Sequence, residues 1–414
     1  MPRPAGGTVL SVIIPARNQW QFSEDCLRGL RRHTPGNFFQ AVFVDNGSSD
    51  ETRTRAPALG RELFGECFTH LRFEDNRNFG PGCNAGAKQA TGGLLLFLNN
   101  DTVPCEGWLP PLLRQFQDDP SLGAAGPLCL YPDQRVQHLG IGFDPGLGLC
   151  HPYSRFPAAH PAVGRKRTLQ AITGAAFMIP KALFQSLGGF HEGYANGLED
   201  LDLCCAVRGK GKRLACVPRS RIIHLESMTP GRFEHEEHNT RLFNDRCLGC
   251  FTPDLHRWLE RDGFALALTD WLAPYAALPP ERARELGRAT DGRDGEYLRE
   301  ALEHEPLWEK GYFSHADLLE AGGEWERAKD VLALAAHFFP SRANYARLRR
   351  AAVAASDRDL AARCDTFLAR ADSLLADPES LARKARALRD WARKADQPTV
   401  ESLYNNWLRQ AGLR

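Results

Sequence analysis

Residues 9–15 are apolar apart from Ser11 and end in Pro15, the pattern of a strand stopped by a residue that cannot extend it. Phe22, Cys26, Leu27 and Leu30 then recur at helical spacing over 21–33, with Ser23 as a candidate cap. Residues 39–44 read as a second strand, 50–63 as a helix and 67–73 as a third strand. The glycine-rich stretch 76–84 opens a helix towards Ala90. Leu94-Leu95-Leu96-Phe97-Leu98 follows, five apolar residues between Gly92-Gly93 and the polar Asn99-Asn100-Asp101-Thr102. A strand apolar at every position is buried on both faces. Strands alternating with helices predict an α/β domain with a mostly parallel sheet and right-handed crossovers.

Beyond it, 119–130 return a helix end and a strand, whereas 131–167 are rich in Gly, Pro and His and show no sustained period. That segment is expected to be irregular, either a functional loop or a poorly ordered one. A strand is predicted within 169–180, a short helix at 181–187 closed by Gly188-Gly189, a helix over 199–207 and a strand at 214–217. Ile222-Ile223 then place His224 after an apolar pair. From about Pro279 the pattern changes to Ala, Leu, Arg and Glu at helical spacing, so an all-α region is expected. The division adopted is 1–265 for the α/β domain and 266–414 for the helical one.

Composition narrows the function. At 414 residues the chain can bury more than one core, and a net charge of +1 argues against a bulk nucleic-acid binder or a polybasic membrane protein. The 12 cysteines lie mostly inside apolar patterns, which suits reduced thiols; Cys247 and Cys250 make one C-x-x-C with no second pair to complete a zinc site. No apolar run reaches membrane-spanning length, and the N-terminal run lacks a small-residue cleavage site. A cytoplasmic protein without a transmembrane segment is expected, with peripheral association at the inner face of a membrane left open.

Three polar loops follow apolar strands: 15–19, 45–50 and 99–102. In a parallel sheet they share one edge, where open α/β sheets hold ligands. A nucleotide fits there. Asp45 can accept a ring imide N–H, the 76–84 loop can approach closely, and Asp101 is a hard oxygen ligand for a magnesium or manganese ion on a diphosphate. The loop is neither a Walker A motif nor a dinucleotide fingerprint. Glu199, Asp200 and Asp202 open a helix; they serve either as first-turn acids or as a general base whose proton affinity is raised by like charges. His224 is a candidate second metal ligand.

Taken in order, these residues resemble the family 2 glycosyltransferases of the GT-A fold, over roughly residues 8–262. Ser11-Val12-Ile13-Ile14-Pro15, Val44-Asp45-Asn46-Gly47-Ser48-Ser49-Asp50 and Asn76-Arg77-Asn78-Phe79-Gly80 look like donor-nucleotide segments. Phe97-Leu98-Asn99-Asn100-Asp101-Thr102 looks like the metal-binding D-x-D position. Gly174–Ile179, Gly188-Gly189-Phe190 and Glu199–Leu203 look like the acceptor half. His224-Leu225-Glu226-Ser227 resembles the closing histidine motif of rhamnosyltransferase-like and O-antigen-type members. The resemblance implies an inverting transfer from a nucleoside-diphosphate sugar, UDP or dTDP favoured, to a glycan, lipid-linked or protein acceptor. It implies a cation, manganese or magnesium, on Asp101 and His224, and Asp200 as base with Glu199 second. Pro15, Ala16, Asn18, Asp45, Asn76, Asn78, Gly82, Asn100 and Asp101 would surround the donor. Asn99 stands where D-x-D has its first aspartate, and His191 where the family usually has one after Gly-Gly-Phe. Residues 318–340 resemble a tetratricopeptide-type hairpin with a weaker copy at 354–378, and Ala328 and Ala361 stand 33 positions apart. That implies a partner- or acceptor-docking module, the alternative being a helical appendage that supports the catalytic domain or a dimer. The competing classes are a nucleotidyltransferase acting on sugar phosphates and a non-catalytic scaffold.

Overall fold

The computed structural model describes residues 9–36, 38–225, 235–289 and 292–412. The chain divides into two compact units: residues 1–142 with 149–252, and residues 143–148 with 253–414.

In the first unit, strands β1 (Leu10–Ala16), β2 (Phe39–Asn46), β3 (Phe68–Phe73) and β4 (Leu94–Leu98) alternate with helices α1 (Trp20–His33), α2 (Thr52–Phe64) and α3 (Phe79–Gln89). Every residue of β1 and β2 is buried, as continuous apolar runs require of strands covered on both faces. Two polar residues inside this core have partners: Ser11 Oγ donates to Gln40 Oε1 at 2.8 Å and accepts from the Gly92 N–H at 2.9 Å. Helix α3 lies close over β1 and β2 because Gly86 has no side chain. A Cβ there would stand 2.6 Å from Ile13 Cγ2 and 2.9 Å from Val44 Cγ2.

The chain continues through β5 (Thr102–Pro104), α4 (Leu109–Asp118), β6 (Leu122–Leu130), β7 (Val136–His138), β8 (Gly142–Phe143), β9 (Leu149–Cys150), α5 (Pro161–Gly164), β10 (Ala176–Pro180), α6 (Lys181–Ser186), α7 (Glu199–Gly209), β11 (Arg213–His224) and α8 (Glu236–Cys247). The large sheet runs β3-β2-β1-β4-β10-β6-β11-β5, with β7 beside β6. Pairings β1–β2, β2–β3, β1–β4 and β6–β11 are parallel. Those of β10 with β4 and β6, of β11 with β5 and of β6 with β7 are antiparallel. The sheet is therefore mixed. The segment between β6 and β10 carries no long crossover helix, so β10 enters from the opposite end, and mixed parallel and antiparallel pairing follows. A mixed sheet flanked by helices is typical of the GT-A fold, and helices follow it.

Three expectations change. The 131–167 segment, expected without regular structure, holds β7, β8, β9 and α5. The strand placed at 214–217 is one long strand, β11, whose register slips between Val217 and Arg221. Cys205 and Cys250 are joined as a disulfide, so the thiols are not all reduced and Cys250 does not pair with Cys247.

The second unit holds α9 (Leu255–Asp262), a hairpin of β12 (Ala265–Leu268) and β13 (Pro274–Ala277), and helices α10 (Pro280–Ala289), α11 (Gly295–His304), α12 (Glu309–Ala321), α13 (Trp325–Phe338), α14 (Arg342–Ala354), α15 (Arg358–Leu375), α16 (Pro378–Lys394) and α17 (Pro398–Gln410). Asp294, Ser341, Asp357 and Asp377 each accept a backbone N–H at the start of their helix. Consecutive helices pack on one another from α11 to α15, and α16 packs on α17. Buried alanines, among them Ala316, Ala328, Ala336 and Ala351, let their axes approach.

Candidate functional site

The carboxyl ends of β1 and β2 are sewn together by short side chains. Asn18, in the left-handed region at φ 57°, donates its N–H to Ser48 Oγ at 2.8 Å, and its Oδ1 accepts from the Ser49 N–H at 2.8 Å. Asp45 is 0 % exposed. Its Oδ1 accepts from the Ser48 N–H at 2.8 Å, and its Oδ2 binds Arg72, the residue opposite it in β3. With no surface exposed, Asp45 could accept from a base imide directly only if the loops around it opened. Gly47 makes the turn at φ 77°, where a Cβ would stand 2.7 Å from the Asp75 carbonyl carbon. Only glycine combines that torsion with that approach.

The loop before α3 is fixed from two sides. Asn46 Oδ1 accepts from the Arg77 N–H at 2.9 Å, and its Nδ2 donates to the Asn78 carbonyl at 2.9 Å. Asn76 Oδ1 accepts from the Asn78 N–H at 3.0 Å. Asn78 has φ 64°, and Asn196, from the loop before α7, donates to Asn78 Oδ1 at 3.3 Å while accepting from the Phe79 N–H at 2.8 Å. Gly82 lies in the first turns of α3 near Asn46, and Pro15 and Ala16 end β1 beside Val44 and Asp45.

Past β4 the chain turns at Asn99–Asp101, and Asn100 Nδ2 donates to Ser23 Oγ at 2.9 Å. Strand β5 then pairs antiparallel with the end of β11, Thr102 opposite His224. This register sets His224 Nε2 3.3 Å from Asp101 Oδ1. Asp101 Oδ1 is buried and has no hydrogen-bond partner among the described residues. A buried carboxylate oxygen left in that state costs free energy unless a cation satisfies it. The pair thus fits a hard divalent ion. Among the described residues no group of three or more His, Cys, Asp or Glu side chains is placed to hold a metal. On the far side of the ring, His224 Nδ1 lies 2.7 Å from Gln137 Oε1, and Gln137 Nε2 donates to the His224 carbonyl at 3.0 Å. Glu226 and Ser227, the end of the His224 motif, lie outside the described residues.

The acidic run at the start of α7 separates into three environments. Asp202 is buried, accepting from the Tyr194 hydroxyl at 2.9 Å and from the Arg246 guanidinium, and is a structural anchor. That carboxylate and burial together push the Tyr194 phenol far above its ordinary value, burial weighing more. Glu199 is buried and its Oε2 accepts from the Gly197 N–H at 2.6 Å. Asp200 is partly exposed, and its Oδ2 accepts from the Gly174 N–H at 2.7 Å. Neighbouring Ala175 accepts from the Asn99 N–H at 2.9 Å, so one short segment joins the turn bearing Asp101 to the residue holding Asp200. The segment is pinned again at Thr173, whose N–H donates to His138 Nε2 at 3.1 Å. Burial, then the nearby His151 and His224 rings, hold the His138 imidazole well below its usual range and keep it neutral. His191 Nδ1 accepts from the Gly193 N–H at 3.2 Å, closing a local turn.

Residues 11–184 match the family model described as Glycosyl transferase family 2. Over that stretch the first unit is similar to the family 2 glycosyl transferases. The chain is 32% identical over 231 residues to O-antigen biosynthesis protein RfbC of Myxococcus xanthus, covering 54% of this chain and 18% of that protein. It is 27% identical over 238 residues to the Pre-mycofactocin glycosyltransferase of Mycobacterium tuberculosis H37Rv, covering 54% and 44%. Both alignments span less than half of the relative's own length. A solved structure of GalNAc-T7 with UDP, GalNAc and Mn2+ superposes with a TM-score of 0.45 at 19% identity, covering 53% of this chain and 44% of that one. No helix among the described residues is long and apolar enough to cross a membrane.

Several residues of the site escaped sequence reasoning. Arg72 is visible only as a basic residue in a strand, Arg246 only as a helix charge, and Gln137 and His138 lie in a stretch without periodicity. The one signal available was the density of polar side chains, Gln134, Gln137 and His138, in a segment rich in Gly, Pro and His.

Proposed function

We propose that the chain transfers a sugar from a nucleoside-diphosphate sugar to a hydroxyl acceptor with inversion, assisted by a divalent cation. The observation that carries this reading is the buried, unpartnered Asp101 Oδ1 facing His224 Nε2, beside the segment that holds Asp200. The donor's nucleotide lies along Pro15, Ala16, Asn18, Asp45, Asn76, Asn78 and Gly82, and Asn100 stands at the diphosphate. Asp45 contributes through the Arg72 and Ser48 it holds in place. Asp101 and His224 hold manganese or magnesium, which when bound neutralises charge on the departing diphosphate.

Asp200 takes the proton of the acceptor hydroxyl as that oxygen attacks the anomeric carbon, and the bond from that carbon to the diphosphate oxygen breaks on the opposite face. Its partial exposure favours it over Glu199, whose buried carboxylate is committed to the Gly197 turn. UDP or dTDP is the nucleotide, a hexose or deoxyhexose the sugar, and the chain sits in the rhamnosyltransferase-like branch. The relative concerned with O-antigen biosynthesis supports a cell-surface polysaccharide, glycolipid or protein glycan as acceptor. The helices of the second unit act as a tetratricopeptide-like docking module.

The test is hydrolysis and transfer with a panel of sugar nucleotides and Mn2+. The parent is expected to turn over one donor. Asp101→Ala should lose metal-dependent donor binding, whereas Asp200→Asn should still bind and lose on the order of 10²–10⁴ in rate. If no nucleotide sugar binds with any divalent cation, the reading fails.

A further inference from the structure

A backbone carbonyl can only accept a hydrogen bond, and this fixes which ring nitrogen of His224 carries a proton. The His224 carbonyl lies 3.0 Å from one end of the Gln137 carboxamide, so that end is the NH₂ group. The other end, 2.7 Å from His224 Nδ1, is then the oxygen. An oxygen has no proton to give, so Nδ1 carries one and donates it. A neutral His224 with its proton on Nδ1 has a bare lone pair on Nε2. That nitrogen lies 3.3 Å from Asp101 Oδ1, which has no hydrogen-bond partner among the described residues. Two acceptors facing each other across such a gap repel unless something positive lies between them.

We propose that Gln137 is a positioning residue that locks His224 as the neutral Nδ1–H tautomer and so presents its Nε2 lone pair, together with Asp101 Oδ1, as a preformed cation seat. The proposal rests on the reading of Asp101 and His224 as cation ligands. Metal-ligating histidines in general are oriented by an acceptor on the second ring nitrogen. Here a neutral carboxamide supplies it, and Gln137 is itself 95 % hidden from solvent, its exposure being 5 %.

The next residue along β7 repeats the device towards the other half of the site. Side chains at successive strand positions point to opposite faces. His138 Nε2 accepts from the Thr173 N–H at 3.1 Å, so its proton also sits on Nδ1, 3.1 Å from His151 Nδ1, which must accept it. Thr173 precedes Gly174, whose N–H holds Asp200. One three-residue strand therefore orients both the cation ligand and the segment whose Gly174 N–H holds the base.

The experiment uses the full chain with ¹⁵N-histidine labelling, and a long-range ¹H–¹⁵N correlation assigns the tautomer of each ring, His224→Phe identifying the resonance. His224 is expected as Nδ1–H with an unprotonated Nε2. An Nε2–H form overturns the proposal and leaves the glycosyl transfer reading standing. Mn2+ affinity, read by electron paramagnetic resonance without any donor, supplies the second arm. Gln137→Met should weaken Mn2+ binding about 10–100-fold. Gln137→Glu, which keeps an acceptor on Nδ1, should retain the tautomer and most of the affinity. Affinity within twofold of the parent in a folded Gln137→Met overturns the proposal. An Nδ1–H tautomer with Mn2+ binding that depends on Gln137 supports it even if no sugar nucleotide is turned over.

Discussion

At the residue scale, side chains named alike do unlike work because their surroundings differ. Asp45, Asp101, Asp200 and Asp202 are all aspartates near one sheet edge, yet Asp45 and Asp202 are saturated by arginine while Asp101 keeps an unanswered oxygen. His138 makes a prediction of its own. Its folded-state pKa lies well below the ordinary 6.5, burial being the chief cause. Above pH 6.5 both folded and unfolded states leave it neutral, and it adds no pH dependence. Below pH 6.5 the unfolded chain takes up a proton that the folded chain refuses, so stability falls with pH, by up to ~1.4 kcal/mol per unit from this one group. Urea unfolding at pH 5.5 and 7.5 should show this loss in the parent and a smaller one in His138→Gln, whose amide oxygen can still accept from Thr173. Equal losses would show that His138 is not the group responsible. The candidate residues Asp101, Asp200 and His224 were legible as single positions in the sequence. What Asp45 binds was not, because Arg72 meets it only through the register of β2 against β3.

At the element scale, continuous apolar strands and helix spacing made β1 to β4 and α1 to α3 readable almost end to end. Local pattern decided them. β11 was read in pieces because Pro218 and a register slip break its pattern, and β7 went unread because three residues between turns carry no period. The contact between Asp101 and His224 depends on β5 meeting β11, a pairing between distant segments that no local window contains. Close packing of α3 on β1 and β2 gives a test at this scale. Gly86→Val forces a branched side chain into Ile13 and Val44, an overpacking expected to cost ~1–3 kcal/mol. Thermal unfolding should show the loss. A variant as stable as the parent would mean that α3 can lift away from the sheet freely.

At the scale of the whole molecule, the two units have cores of their own. One cluster centres on the sheet of the first unit, and two others lie among helices of the second, around Tyr404 with Trp407 and around Leu332 with Leu348. Calorimetry of the full chain is expected to resolve more than one transition. Adding Mn2+ with the nucleotide of the accepted donor should raise only the transition of the first unit, by ~2.7 kcal/mol at a hundred times the dissociation constant. A uniform shift of every transition would show that the units unfold together.

The placement of β4 has a consequence for how the chain is made. Leu94–Phe97 pair with β1 on one side, and all five residues pair with β10 on the other. On a ribosome adding about 5–20 residues per second, β1 to β4 are complete on the order of ten seconds before β10 emerges. Throughout that interval Leu94–Leu98 presents an open, uncharged strand edge, the template on which chains aggregate. The yield of soluble protein should thus depend on the pace of translation between the codons for Leu98 and Ala176, a stretch that carries Gln137 and His138 and whose sluggish synthesis would leave that edge bare for longer.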